Sequence, residues 1–105
     1  MSAGYQTHRL QWDGITIEVR YDPHWLPSYR ETYGYPLAHL EIEAVKPAKS
    51  PLPMTETGYR SHFGSADDVA AEGGPVAFVR AWLEHAAQSP AWKAAQEARR
   101  QLTLF

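Results

Sequence analysis

An Asp-Gly pair at positions 13 and 14, set between two runs that alternate apolar and polar residues, constrains this chain more than any other stretch. The two-residue turn that best continues the twist of paired strands needs positive φ at both central residues, and Asp-Gly meets that need. His8, Leu10 and Trp12 alternate with polar residues before the pair, and Ile15, Ile17, Val19 and Tyr21 do so after it. The pattern predicts a β-hairpin over residues 7–21. Ile15, Ile17 and Val19 would face a core, with Thr16, Glu18 and Arg20 outward.

Asp22-Pro23 is expected to end the second strand, because proline has no N–H for the ladder. The stretch from His24 to Pro36 reads as irregular. Its rings, Trp25, Tyr29, Tyr33 and Tyr35, suit the lid of a small core, with a ligand or nucleobase platform as the alternative. Leu37–Val45 reads as a third strand, with Leu40, Ile42 and Ala44 on one side and His39, Glu41 and Glu43 on the other. Glu41 and Glu43 fit a solvated strand face. No spacing of ligand types points to a metal, so neither metal nor cofactor is expected.

Helix signals fill the C-terminal part. Ser65 followed by Asp67 and Asp68 fits an N-cap with acids in the first turn. Pro75 and Pro90 each suit a first helical position, and Val76, Val79, Trp82, Leu83 and Ala86 recur at helical spacing. Helices are expected near 66–72, 75–88 and 90–100. The fold class is therefore α+β: a small three-stranded antiparallel sheet, hairpin plus one strand, covered by two or three C-terminal helices. The expected core holds Leu10, Ile15, Ile17, Val19, Leu40, Ile42, Val79, Trp82 and Leu83.

With 105 residues the chain is long enough for one domain, assigned to residues 1–100, with 101–105 as a tail. A net charge of −2 supplies no general positive field, so direct sequence-specific nucleic-acid binding is not expected. The absence of cysteine removes disulfides and thiolate metal sites, and no apolar run reaches membrane-spanning length. A cytoplasmic protein without a membrane partner is expected.

Two segments carry candidate function. Residues 54–64, after a proline-punctuated connector, hold Thr55, Glu56, Tyr59, Arg60 and His62 around Gly58. As a loop site, His62 would be a base, Glu56 its orienter or an acid, and Arg60 an anion clamp. The alternative packs Tyr59 and Phe63 inward while Thr55, Glu56 and Arg60 tie the loop down. No nucleophile elbow or phosphate loop is present, and no catalytic residue is assigned.

The second segment is Gln101-Leu102-Thr103-Leu104-Phe105. It resembles the short peptide by which bacterial polymerases, mismatch-repair proteins and replication regulators dock on the sliding clamp. The resemblance implies that Gln101 fills a polar subsite, Leu102 makes a bridging contact, and Leu104 with Phe105 fills a hydrophobic pocket. Thr103 stands where commoner versions have Ser or Asp. The alternative is that these apolar residues fold back onto the domain's own core. The stretch from Pro53 to Phe63, with the ending at Phe105, also resembles small uncharacterised proteins of proteobacterial plasmids and other mobile elements. The expectation is a non-enzymatic adaptor that reaches the bacterial sliding clamp, in replication, repair or mobile-element control. The alternatives are a small ligand-binding domain or enzyme using the Thr55–His62 loop, and a mobile-element inhibitor of a host protein.

Overall fold

The computed structural model describes residues 4–102. Strands β1 (Gln6–Trp12), β2 (Ile15–Leu26), β3 (Leu37–Lys46) and β4 (Tyr59–Ser65) form one antiparallel sheet in the order β1-β2-β3-β4. Helix α1 (Pro27–Tyr33) joins β2 to β3, and α2 (Ala66–Ala71), α3 (Pro75–Ala86) and α4 (Pro90–Leu102) follow the sheet. The fold is α+β, with one strand and one helix more than the sequence reading gave.

The hairpin forms as its turn chemistry requires. Asp13 and Gly14 have φ of 50° and 77°, and Leu10 lies opposite Ile17, with Trp12 opposite Ile15. The alternation turns Leu10, Ile17, Val19, Tyr21, Leu40, Ile42 and Ala44 to one face. Val79 and Leu83 of α3 and Val69 of α2 complete the core there, with Leu52 from the connector. Each large side chain so buried stabilises the fold by about 1.5–3 kcal/mol against an exposed one. Ile15 and Trp82, expected in the core, are half-buried at its margin.

Three expectations are corrected. Strand β2 does not stop at Asp22-Pro23 but runs to Leu26. Its pairing with β1 ends at Tyr21, and its register with β3 slips between Asp22 and Leu26. Pro23 therefore sits where the ladder is already interrupted, and its missing N–H is tolerated there. Residues 27–33 are helical rather than irregular: Pro27 opens α1, and Gly34 closes it at φ 81° with its N–H on the Arg30 carbonyl, 2.8 Å away. The third correction is β4, which occupies much of the stretch read as a loop.

The caps read from sequence are in place. Ser65 Oγ accepts from the Asp67 N–H at 3.1 Å, and Ser89 Oγ from the Trp92 N–H at 3.1 Å. Helix α4 has no buried residue. Trp92 holds it to the hairpin, its ring 6.1 Å from that of Trp12, while the Arg99 guanidinium lies over the Trp92 ring at 4.9 Å. Helix α4 is described as far as Leu102, past the expected end near residue 100, so Gln101 and Leu102 are helical. Thr103, Leu104 and Phe105 lie outside the described residues. Among those described, no helix is long and apolar enough to cross a membrane.

Candidate functional site

Helices α2 and α3 cover one face of the sheet; the other, called the open face because among the described residues neither of these helices packs on it, carries the chemically capable side chains. Alternation along β4 decides which residues reach it. Glu43 pairs with Tyr59, Glu41 with Ser61 and His39 with Phe63, so Tyr59, Ser61 and Phe63 point to the open face. Arg60 and His62 point to the covered face instead. There the Arg60 guanidinium lies 5.4 Å from the Trp82 ring and donates to the Met54 carbonyl, while the His62 ring sits 5.0 Å from Trp82 and 5.9 Å from Phe78.

The five residues read as one loop site are thus divided between two faces. Thr55 Oγ1 donates to the Tyr59 carbonyl at 2.8 Å, closing the turn before β4, and Glu56 is exposed beside it. The alternative in which Tyr59 and Phe63 pack inward is reversed by the same alternation. A polar strand at a sheet edge carries no apolar period to announce its faces, so only the pairing with β3 sets them.

The middle of the open face is a charged cluster around Arg20. Its guanidinium lies 2.8 Å from Glu18, 3.2 Å from Glu43 and 3.6 Å from Glu41. Burial works against the charge of Arg20, but hydrogen bonds to Glu18 and Glu43 and the charge of Glu41 outweigh it, and its pKa rises. The Tyr59 hydroxyl donates to Glu41 at 2.7 Å and is the main cause that lowers the Glu41 pKa; Arg20 adds to it against burial. Tyr59 is raised in return, first by that hydrogen bond. Glu41 and Glu43, expected as solvated strand residues, are here bound into a cross-strand network. Among the described residues no group of three His, Asp or Glu could hold a metal ion.

Beside this cluster lies an aromatic one that the sequence reading did not assemble. His39, only 8% exposed, stacks on Phe63 with ring centroids 4.3 Å apart and planes 14° from parallel. The Trp25 ring meets Phe63 edge-on at 4.8 Å and His39 at 5.9 Å. Both imidazole nitrogens are engaged: Nδ1 with the Tyr5 hydroxyl at 2.5 Å and Nε2 with Ser61 Oγ at 2.7 Å.

A serine against an imidazole is the pairing by which enzymes make a nucleophile. Here the third member is the Tyr5 phenol, where a catalytic imidazole has an orienting carboxylate, and that argues for another role. Burial, then Glu41 and Asp22, raise the Tyr5 pKa, so the phenol keeps its proton; the Trp25 indole, which can only donate, is also hydrogen-bonded to it. Tyr5 and Ser61 thus hold the ring from its two ends, one hydroxyl on each nitrogen. Tyr5, His39 and Ser61 act as a hydrogen-bonded strut that fixes the aromatic cluster. Trp25 at 37% and Phe63 at 49% exposure remain open to a partner.

The cluster runs on into α1. Tyr29 touches Tyr33 at 4.3 Å and Tyr35 at 5.3 Å between centroids, and the Tyr29 and Tyr35 hydroxyls are 2.9 Å apart. An open cleft of about 490 Å³ lies between Tyr29, Tyr35, Leu37 and Phe63, with Ser65 and Asp68 at its rim. The aromatics read as a lid over the core are instead a largely exposed surface. Trp25, Tyr29, Tyr33 and Tyr35 were visible in the sequence, but their junction with Phe63 depends on β4.

Among known proteins, no curated protein and no solved structure matches this chain. The model of the family described as the KlcB third domain matches residues 5–92. The matched stretch takes in the whole sheet, helices α1 to α3 and the first turn of α4 through its anchor Trp92, and the chain belongs to the KlcB third domain family.

Proposed function

We propose that this protein is a docking adaptor whose folded domain presents the Gln101–Phe105 peptide to the bacterial sliding clamp. The observation that carries the reading is the exposure of its first two residues. Gln101 and Leu102 stand free at the end of α4, Leu102 at 77% exposure, on a helix that buries no residue of its own. A leucine held in water is available to a partner at no cost in lost core contacts.

Docking on a pocket calls for an extended peptide, so the last turn of α4 unwinds on binding. A terminal turn has unsatisfied carbonyls and frays readily, so this adds little. Leu102, Leu104 and Phe105 together supply roughly 5–9 kcal/mol from burial. Ordering the tail and losing translational freedom take back at least several kcal/mol, which leaves binding on the order of micromolar. The aromatic open face leaves room for a second partner, and a His39 ring held by a phenol and a serine, without the orienting carboxylate of a catalytic triad, suits an adaptor better than an enzyme.

The test is surface plasmon resonance on purified bacterial sliding clamp with the full chain and with a chain ending at Arg100. The full chain should bind with a Kd on the order of micromolar, and the shortened one should show no binding. Equal responses from the two would remove the tail from the mechanism.

A further inference from the structure

We propose that the cleft between α1 and β4 is a receptor for an arginine side chain carried by a partner protein. The inference concerns a surface remote in sequence from the tail and stands whether or not the tail docks on a clamp.

The walls of the cleft are largely aromatic. Tyr29, Tyr35 and Phe63 line it, and each is held by a neighbouring ring. Tyr29 and Tyr35 fix one another through their hydroxyls, while His39 stacks behind Phe63 and is itself locked by Tyr5 and Ser61. Rings set in this way lose little entropy on binding, which is why tyrosine and tryptophan dominate interface hot spots.

The charge at the rim selects the occupant. Asp68 places a carboxylate beside the rings, and among the described residues no cation is paired with it. Rings and a carboxylate together attract a cation and repel a phosphate, so a nucleic acid stacking on these aromatics meets the wrong sign of field. The Arg20 guanidinium on the same face is already surrounded by Glu18, Glu41 and Glu43 and offers a phosphate little.

Arginine fits better than lysine because its flat guanidinium can lie on a ring and still present a fork to the carboxylate. A protein segment fits better than a free small cation because the cleft does not end at its own walls. Trp25, Leu26 and Tyr33 continue the exposed apolar surface around it, an area suited to residues flanking the arginine.

The test is an NMR titration of the full chain, observing backbone amides, with the blocked peptide acetyl-Leu-Arg-Leu-amide and its citrulline counterpart, which keeps the shape and removes the charge. The arginine peptide should shift Tyr29, Tyr35, Phe63, Ser65 and Asp68 together in a saturable way. The citrulline peptide should bind about five- to tenfold more weakly, and Asp68→Asn should weaken the arginine peptide by a similar factor. Asp67→Asn, one position away and not on the cleft, should leave binding unchanged. Tyr35→Ala should also weaken it, with a thermal melt to show that the variant is folded; Asp68→Asn gives the answer if it is not. Equal binding of the arginine and citrulline peptides, or no effect of Asp68→Asn, would overturn the proposal. So would shifts of the same residues by single-stranded oligothymidylate, which would mark the surface as a base-stacking platform instead.

Discussion

His39 Nε2 lies 2.7 Å from Ser61 Oγ although His39 is paired with Phe63 in the β3–β4 register, so the bond runs diagonally across the ladder. That diagonal ties the strut to the strand that also carries the exposed phenylalanine. Ser61→Ala removes one hydrogen bond at an exposed site and should cost about 0.5–1.5 kcal/mol. His39→Ala removes both bonds and a buried ring stacked on Phe63, and should cost about 2–4 kcal/mol. Urea unfolding of the two variants measures both losses, and an equal loss would mean that the ring does no packing.

The Arg20 cluster makes a prediction about acid. The lowered pKa of Glu41 means that its contribution to stability is complete above the ordinary carboxylate pKa and is lost as pH falls through the folded value. Arg20→Met leaves Glu18, Glu41 and Glu43 facing each other without their cation. At neutral pH it should cost about 1–2 kcal/mol, screened in part because the cluster is at the surface. Protonating the carboxylates removes their repulsion, so the gap between wild type and variant should narrow from pH 7 toward pH 3. Parallel melting curves across that range would contradict this account.

His62 predicts a second, separate pH effect. Burial lowers its pKa from 6.5, with Arg60 and then His39 adding to the shift. Between the unfolded and the folded pKa the unfolded chain takes up a proton that the folded one does not. Stability should therefore fall as pH drops below 6.5, with the loss complete beneath the folded value. His62→Phe, which keeps a ring between Phe78 and Trp82, should flatten the fall in melting temperature between about pH 7.5 and 5.5.

Gly58 marks the entry to β4. It has a φ of 78°, and a Cβ there would meet the Lys49 carbonyl carbon and the Ser50 carbonyl oxygen at 2.8 Å. These are backbone atoms, which cannot swing aside. Gly58→Ala should cost about 2–4 kcal/mol through strain and displacement of the connector, measured by urea unfolding. A neutral result would mean that the connector does not hold β4 in place.

What the sequence disclosed followed the strength of its local signals. Asp13-Gly14 between alternating runs announced the hairpin and its faces, and Pro75 with Val79 and Leu83 announced α3. Strand β4 was hidden because its covered face carries Arg60, His62 and Gly64, which have no apolar period. Helix α1 had its Pro27 and Gly34 signals, but a seven-residue helix with no buried residue gives no amphipathic stripe to read. The candidate site was lost with these two elements. His39, Ser61 and Phe63 come together only through the β3–β4 pairing, and Tyr5 reaches them only because the hairpin returns it to His39.

The central claim is that the tail docks on a partner instead of completing the core, and Phe105→Ala tests it most directly when clamp affinity and thermal unfolding are read on the same protein. Docking predicts that the clamp Kd rises by at least about tenfold, from the loss of one buried aromatic. The melting temperature should stay at the wild-type value. An unchanged Kd together with a melting temperature lowered by several degrees would place the phenylalanine in the protein's own core and contradict the account.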